Sequence, residues 1–78
     1  MERTKIEEKI CQIIEEQLGV EGIDVHKDLQ KEYDVDSIGV LDFIMSVEDA
    51  FEIQFAETDL ESMKTVEQVI DRVEALLS

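Results

Sequence analysis

Apolar residues recur every three or four positions near both ends of the chain, and this helical period constrains the fold more than any other feature. The first run consists of Ile6, Ile10, Ile13, Ile14 and Leu18, and it stops at Gly19, a residue type that commonly ends helices. The last run consists of Val66, Val69, Ile70, Val73, Leu76 and Leu77. The sequence shows no strand-like alternation and has no proline. The two runs therefore predict an amphipathic helix at each end of the chain.

Both predicted helices carry a possible start signal, a threonine followed three residues later by Glu or Gln. The pairs are Thr4 with Glu7 and Thr65 with Gln68. In such a capping box the threonine oxygen accepts a hydrogen bond from a free backbone N–H, and the Glu or Gln side chain returns the interaction. We therefore expect the first helix to be capped by Thr4 and the last by Thr65.

The middle of the chain is less regular. Between Gly19 and Ser37 neither the helical nor the strand period holds, although Leu29 and Tyr33 can anchor a loop, and residues 56–63 have room for only a short helix. A chain of 78 residues supports one compact domain with a small core. We expect an all-α four-helix bundle with three longer helices and one short helix. A long loop separates helices one and two, and the single domain spans residues 1–78.

The charge of the chain is strongly negative and unevenly distributed. Twenty-one Asp and Glu residues face seven Lys and Arg residues, giving a formal net charge of −14. All seven basic residues lie outside residues 32–63, a stretch that holds ten acidic residues. A surface of this kind repels phosphate backbones, so we expect no nucleic-acid partner.

Cysteine usage and hydropathy indicate the compartment. The single cysteine, Cys11, has no partner for an internal disulfide and falls among apolar residues, where cysteine usually acts as a small hydrophobic side chain. No apolar stretch is long enough for a signal peptide or a membrane span. We therefore expect a cytoplasmic protein without stable membrane insertion.

The segment after Ser37 predicts a helix with two apolar faces. On a helical wheel one face has the width of a core stripe and consists of Val40, Phe43, Ile44, Val47 and Phe51. The second face is a separate ridge formed by Ile38, Leu41 and Met45. Acidic residues flank this ridge, with Asp42 and Asp49 on one side and Glu48 on the other.

The ridge has two interpretations, a second core contact or an exposed docking surface. Burying it would also bring the flanking carboxylates out of water, and the basic-free middle of the chain offers them no local partner. We therefore favour an exposed surface that contacts another protein. Its partner would present an apolar groove rimmed by Arg and Lys, so that charge guides the encounter and apolar contact holds it. No further patch demands a dimer, and we expect a monomer.

Ser37 also has two interpretations. Serine is a preferred helix N-cap, which would make it a structural residue. Asp36 serves equally well as a cap, and in that case Ser37 would lie in the first turn with its hydroxyl free. A helix N-terminus presents unpaired N–H groups and the positive end of the dipole, so it would tolerate a phosphate on this serine.

The Asp36-Ser37-Ile38 sequence resembles the Asp-Ser-Leu motif of the acyl carrier protein family, which lies at the start of the second helix of a four-helix bundle. The resemblance also covers the length, the acidity, the long first loop and the Thr65-Val66 start of the last helix. It implies that Ser37 carries 4′-phosphopantetheine, whose terminal thiol holds acyl groups as thioesters. The implied partners are a phosphopantetheinyl transferase, which uses coenzyme A and magnesium, and acyl-transferring biosynthetic enzymes with basic docking surfaces.

The resemblance assigns roles to six further residues and leaves the pathway open. The partner-facing positions carry over as Ile38, Leu41 and Met45 for apolar contact and Asp42, Glu48 and Asp49 for charge. Glycine is common in the family where Asp34 stands, and Ile-Pro-Asp is common where this chain has Phe55-Ala56-Glu57. A carrier of fatty-acid biosynthesis is expected, with a dedicated polyketide or aminoacyl carrier as the alternative.

The residues also suggest metal binding, hydrolysis and an unmodified acidic module as other functions. Asp34, Asp36 and Gly39 match the start of an EF-hand loop, but Ile38 and Met45 stand where that loop needs oxygen ligands. A hydrolase would need a base for Ser37, and the only histidine, His26, lies in the loop. One Cys and one His are too few for zinc, so we expect no metal site and no enzymatic activity. An unmodified acidic module that binds proteins or divalent cations differs from a carrier only in the use of Ser37.

Overall fold

Five helices form the protein in the computed structural model, which describes residues 2–78. They are α1 (Arg3–Leu18), α2 (Leu29–Glu32), α3 (Ser37–Phe51), α4 (Glu57–Ser62) and α5 (Val66–Leu77). Residues 2–78 contain no strand, so the predicted all-α class is confirmed. The short helix predicted within residues 56–63 is α4. The extra helix, α2, is a single turn inside the predicted loop, because four residues are too few to show a helical period.

Two of the three helix-end signals predicted from the sequence, at Gly19 and Thr65, agree with the structure. Thr65 accepts a hydrogen bond from the Gln68 N–H at 3.2 Å, and Gln68 Oε1 accepts one from the Thr65 N–H at 3.1 Å, which confirms that capping box. Gly19 ends α1 in a left-handed conformation with φ of +69°, as predicted. Asp36 caps α3 through its side chain.

The capping box predicted at Thr4 is wrong. Helix α1 begins at Arg3, and its N-cap is Glu2, whose side chain makes no capping hydrogen bond. A capping side chain requires an extended backbone just outside the helix. Glu2 has that conformation, with φ of −68° and ψ of 146°, whereas Thr4 already lies within the first turn.

The core is formed by one face of each of the three longer helices. Its members are Ile6, Ile10 and Ile14 of α1, the predicted face of α3 (Val40, Phe43, Ile44, Val47 and Phe51), and Val66, Val69, Ile70 and Val73 of α5. Leu29, Phe55 and Met63 complete it from the connecting segments. The core face predicted for the helix after Ser37 is therefore confirmed residue by residue.

The long loop between α1 and α3 is tied to the start of α5. The Leu29 N–H donates to the Lys64 carbonyl at 3.0 Å, and the Glu67 N–H donates to the Val25 carbonyl at 3.0 Å. Within the loop, the Asp24 N–H donates to the Tyr33 hydroxyl at 2.9 Å. These contacts hold α2 beside residue 64 and bring the loop to the N-terminus of α3.

Basic residues connect the outer helices. Arg3 of α1 contacts Asp71 of α5 at 2.7 Å, and Arg72 of α5 contacts Asp59 of α4 at 3.0 Å. No residue of α4 is fully buried, and the helix is held by the Arg72–Asp59 pair together with Leu60, which packs against the core.

Cys11 lies half-buried on α1. Burial, followed by the charges of Glu7 and Glu15, raises the pKa of its thiol. A raised pKa keeps the thiol protonated and disfavours nucleophilic chemistry. None of the helices within residues 2–78 has the length and apolar character needed to cross a membrane.

Candidate functional site

Ser37 is the first residue of α3, and its neighbour Asp36 provides the cap. Asp36 has an extended backbone, and its Oδ1 accepts a hydrogen bond from the Gly39 N–H at 2.8 Å. Ser37 itself is exposed. Because a carboxylate caps the helix, the serine hydroxyl is not required for that role and stands at the positive end of the helix dipole. The structure thus agrees with the second interpretation of Ser37.

Gln17 and Gly39 position this helix start, a role that the sequence did not indicate for either residue. Gln17 Nε2 of α1 donates to the Gly39 carbonyl at 2.9 Å, which ties the first turn of α3 to α1. Gly39 also makes room for its neighbours, because a Cβ there would lie 2.7 Å from Val35 Cγ1 and 3.3 Å from Asp36 Oδ1. Neither contact has a sequence signal, since Gln17 falls on a polar helix face and the Gly39 crowding depends on the turn before α3.

The predicted ridge is exposed. Ile38, Leu41 and Met45 have exposed fractions of 70%, 42% and 53%. The opposite face of α3 is buried, so the interpretation of the ridge as a second core contact is wrong. The three side chains form a row of exposed apolar residues along one face of α3.

The three acidic residues beside the ridge do not have the same environment. Asp42 and Asp49 are exposed, whereas Glu48 is half-buried. Glu48 Oε2 accepts a hydrogen bond from the Phe55 N–H at 2.8 Å, which holds the chain as it leaves α3. Glu48 therefore has a structural partner within the chain, which the wheel did not predict because the contact spans a turn.

A cavity of about 210 Å³ lies between α2, α3 and α4 and reaches Ser37. Its apolar lining comes from Val40, Leu41, Ile44, Leu60 and Met63. Its polar lining comes from Gln30, Ser37, Glu61 and Lys64. A group attached to the Ser37 hydroxyl would begin at the rim of this cavity and have an apolar interior within reach.

Two other functions, hydrolysis at Ser37 and metal binding, can be compared with the described part of the chain. His26 Nδ1 lies 2.8 Å from Glu67 Oε2, so this histidine contacts α5 rather than Ser37. Across residues 2–78, no group of three or more His, Cys, Asp or Glu side chains is arranged to hold a metal ion.

Comparison with known protein families identifies the family of this chain. The family model described as the phosphopantetheine attachment site matches residues 8–73. The chain belongs to the acyl carrier protein family. An acyl carrier protein of Trieres chinensis is 41% identical over 69 residues, which cover 86% of each chain. Another, of Coprothermobacter proteolyticus, is 34% identical over 79 residues, which cover 99% of this chain and 96% of the relative.

Solved acyl carrier proteins share the fold. The crystal structure of the acyl carrier protein of Thermotoga maritima matches with a TM-score of 0.81 and 33% identity, covering 99% of this chain and 92% of that one. The acyl carrier protein of Enterococcus faecalis matches with a TM-score of 0.80 at 24% identity, which shows the fold alone. The predicted family and its covalent cofactor, 4′-phosphopantetheine, are confirmed.

The residues around α3 fit such a cofactor. An acyl carrier protein needs a hydroxyl that an enzyme can reach and an anion-tolerant position for the phosphate. Ser37 is exposed, its cap is supplied by Asp36, and the free N–H groups of the α3 N-terminus suit a negative charge.

Proposed function

We propose that the Ser37 hydroxyl is the attachment point of 4′-phosphopantetheine and that Asp36 supports it as the helix cap. The matched residues contain three serines, and the structure distinguishes among them. Ser46 donates to the Asp42 carbonyl at 3.0 Å, and Ser62 donates to the Asp59 carbonyl at 3.2 Å. Ser37 is the one that opens a helix, borders the cavity and leaves the capping role to another residue. This comparison carries the proposal.

Attachment requires a separate phosphopantetheinyl transferase. The Ser37 oxygen forms the new P–O bond, the pyrophosphate bond of coenzyme A breaks, adenosine 3′,5′-bisphosphate leaves with the bridging oxygen, and the hydroxyl proton passes to a base of the transferase. The histidine of the chain contacts Glu67, and Asp36 is engaged as the helix cap, so the proposal assigns the base to the transferase. The transferase and its magnesium therefore provide the activation, and the carrier presents the nucleophile on a rigid helix end.

The surface of α3 is proposed as the docking site for the transferase and for acyl-transferring enzymes. Ile38, Leu41 and Met45 supply apolar contact, and Asp42 and Asp49 supply charge that attracts a basic partner surface. Glu48 contributes to the same negative field while holding Phe55 in place. Contacts of this size and charge favour fast, reversible encounters, which suits a carrier that visits several enzymes.

The chain is proposed to carry acyl groups as thioesters on the arm, with the cavity beside Ser37 sheltering a short acyl chain between visits. Its apolar lining from α3 and α4 favours a hydrocarbon over water. Fatty-acid biosynthesis in the cytoplasm is the proposed setting, and a dedicated polyketide or aminoacyl pathway is the alternative. Residues 1–78 are proposed to act as one carrier domain, because the described helices share one core.

An intact-mass measurement with matched serine variants tests this proposal. The wild type, Ser37→Ala, Ser46→Ala and Ser62→Ala are each incubated with coenzyme A, magnesium and a broad-specificity phosphopantetheinyl transferase. We expect every chain except Ser37→Ala to gain the mass of one phosphopantetheine group. Circular dichroism checks that Ser37→Ala remains folded. No gain in the wild type would favour the unmodified acidic module, and a gain in Ser37→Ala would place the attachment elsewhere.

A further inference from the structure

One lysine occupies a distinctive place in this otherwise acidic region. Lys64 follows α4 and lines the same cavity as Ser37. It is the only basic residue among those that line this cavity. The preceding residues 32–63 contain no Lys or Arg at all, so Lys64 is the first cation after ten carboxylates. The position of this charge calls for a physical explanation.

The backbone of Lys64 is held firmly, while its side chain is exposed. The Lys64 N–H donates to Gln68 Oε1 at 2.6 Å, and the Lys64 carbonyl accepts from the Leu29 N–H at 3.0 Å. The three arginine–carboxylate ion pairs and the His26–Glu67 contact found among residues 2–78 do not include Lys64. A lysine ammonium is carried by a flexible four-carbon side chain. Although the Lys64 backbone is fixed, its charge can therefore take up different positions at the edge of the cavity.

A phosphodiester on Ser37 would place a negative charge close to two carboxylates. Asp36 lies directly before Ser37, and Asp34 lies two residues before Asp36. Both are exposed carboxylates. The α3 N-terminus offsets part of this repulsion. Lys64 is the one cationic side chain that shares the cavity with the attachment point. Among the cavity residues, Glu61 is the carboxylate that would compete for it.

We propose that Lys64 pairs with the phosphate of the group attached to Ser37, so that the arm leaves the serine toward α4 and the cavity. This inference rests on the proposed attachment at Ser37. The phosphate is a permanent anion whatever the thiol carries, so the contact is present in the loaded protein with a free thiol. Lys64 acts as a positioning residue, since it contacts the arm but takes no part in acyl chemistry.

The test compares the effect of loading on melting temperature in matched variants. Lys64→Gln removes the cation at the cavity, and Lys5→Gln removes an equal charge from the exposed surface of α1. At low ionic strength, we expect loading to raise the melting temperature of the wild type and of Lys5→Gln by about 2 °C more than that of Lys64→Gln. Glu61→Gln should enlarge the effect of loading, because it removes the competing carboxylate. In about 1 M salt, where the screening length falls to about 3 Å, these differences should shrink.

A second readout follows the lysine directly. Loading with coenzyme A should shift the Lys64 side-chain Cε resonance in the carbon NMR spectrum and leave that of Lys5 in place. The inference is overturned if Lys64→Gln and Lys5→Gln respond alike or if the Lys64 resonance does not move. A wild-type chain that gains no mass would refute the proposed function as well. Loading without any Lys64 effect would refute this inference alone.

Discussion

At the residue scale, the backbone of Asp34 is the most constrained feature near the site. Asp34 has φ of +54°, in the left-handed region that costs a residue with a Cβ about 1 to 2 kcal/mol. Asp34 lies in the turn that leads into α3, where Val35 and Asp36 come close to Gly39. The glycine common at this place in the family and the aspartate of this chain are both types that enter the left-handed region.

The strain at Asp34 predicts an unusual order of stability. Asp34→Gly should be more stable than Asp34→Ala by about 1 kcal/mol, because both remove the carboxylate and only glycine tolerates a positive φ without strain. Glu8, on the exposed face of α1, provides the control, and there the alanine variant should be the more stable by about 1 kcal/mol. Urea denaturation of the four variants measures both differences. The same order at the two positions would contradict the account of the turn.

At the element scale, α3 has a buried face that stabilises the fold and an exposed ridge that is proposed to contact other proteins. Substitutions on the inner face should destabilise the fold, whereas those at Ile38 and Met45 should impair encounters with other proteins and leave the fold intact. The structure supports this division because Val47 is fully buried and Met45 is 53% exposed.

Met45→Glu should lower the kcat/KM of transferase loading about tenfold, since it replaces an apolar contact by a charge on the docking face. The helical content and the melting temperature should remain close to those of the wild type. Gln54→Glu, an exposed position after α3, adds the same charge outside the ridge and should load normally. Loss of helical circular dichroism in Met45→Glu would show that the ridge supports the fold, and normal loading would remove Met45 from the docking surface.

The elements also show where sequence reasoning succeeds and where it stops. The faces of α3 and the Thr65 cap follow from local period and spacing, so the sequence predicts them. The single turn α2 is too short to have a period. The contacts from Gln17 to Gly39 and from Glu48 to Phe55 join residues that come together only when the helices pack. The false cap at Thr4 has the right residue types, but its backbone is already helical.

At the scale of the whole molecule, a net charge of −14 on one small core should make stability depend on salt. Raising sodium chloride from about 10 mM to about 150 mM shortens the screening length from about 30 to about 8 Å. The melting temperature should rise by about 5 °C, which corresponds to about 1 kcal/mol of relieved repulsion. A variant carrying both Asp42→Asn and Asp49→Asn should respond less. If the melting temperatures of the wild type and of this double variant do not change with salt, charge repulsion does not destabilise the fold.

The central claim concerns one covalent bond, between Ser37 and the phosphate of the cofactor. Tandem mass spectrometry of the loaded wild-type chain tests it most directly, because fragmentation locates the added mass on the sequence. The account predicts that every fragment containing Ser37 carries the phosphopantetheine mass and that fragments containing only Ser46 or Ser62 do not. Added mass on any residue other than Ser37 would contradict it.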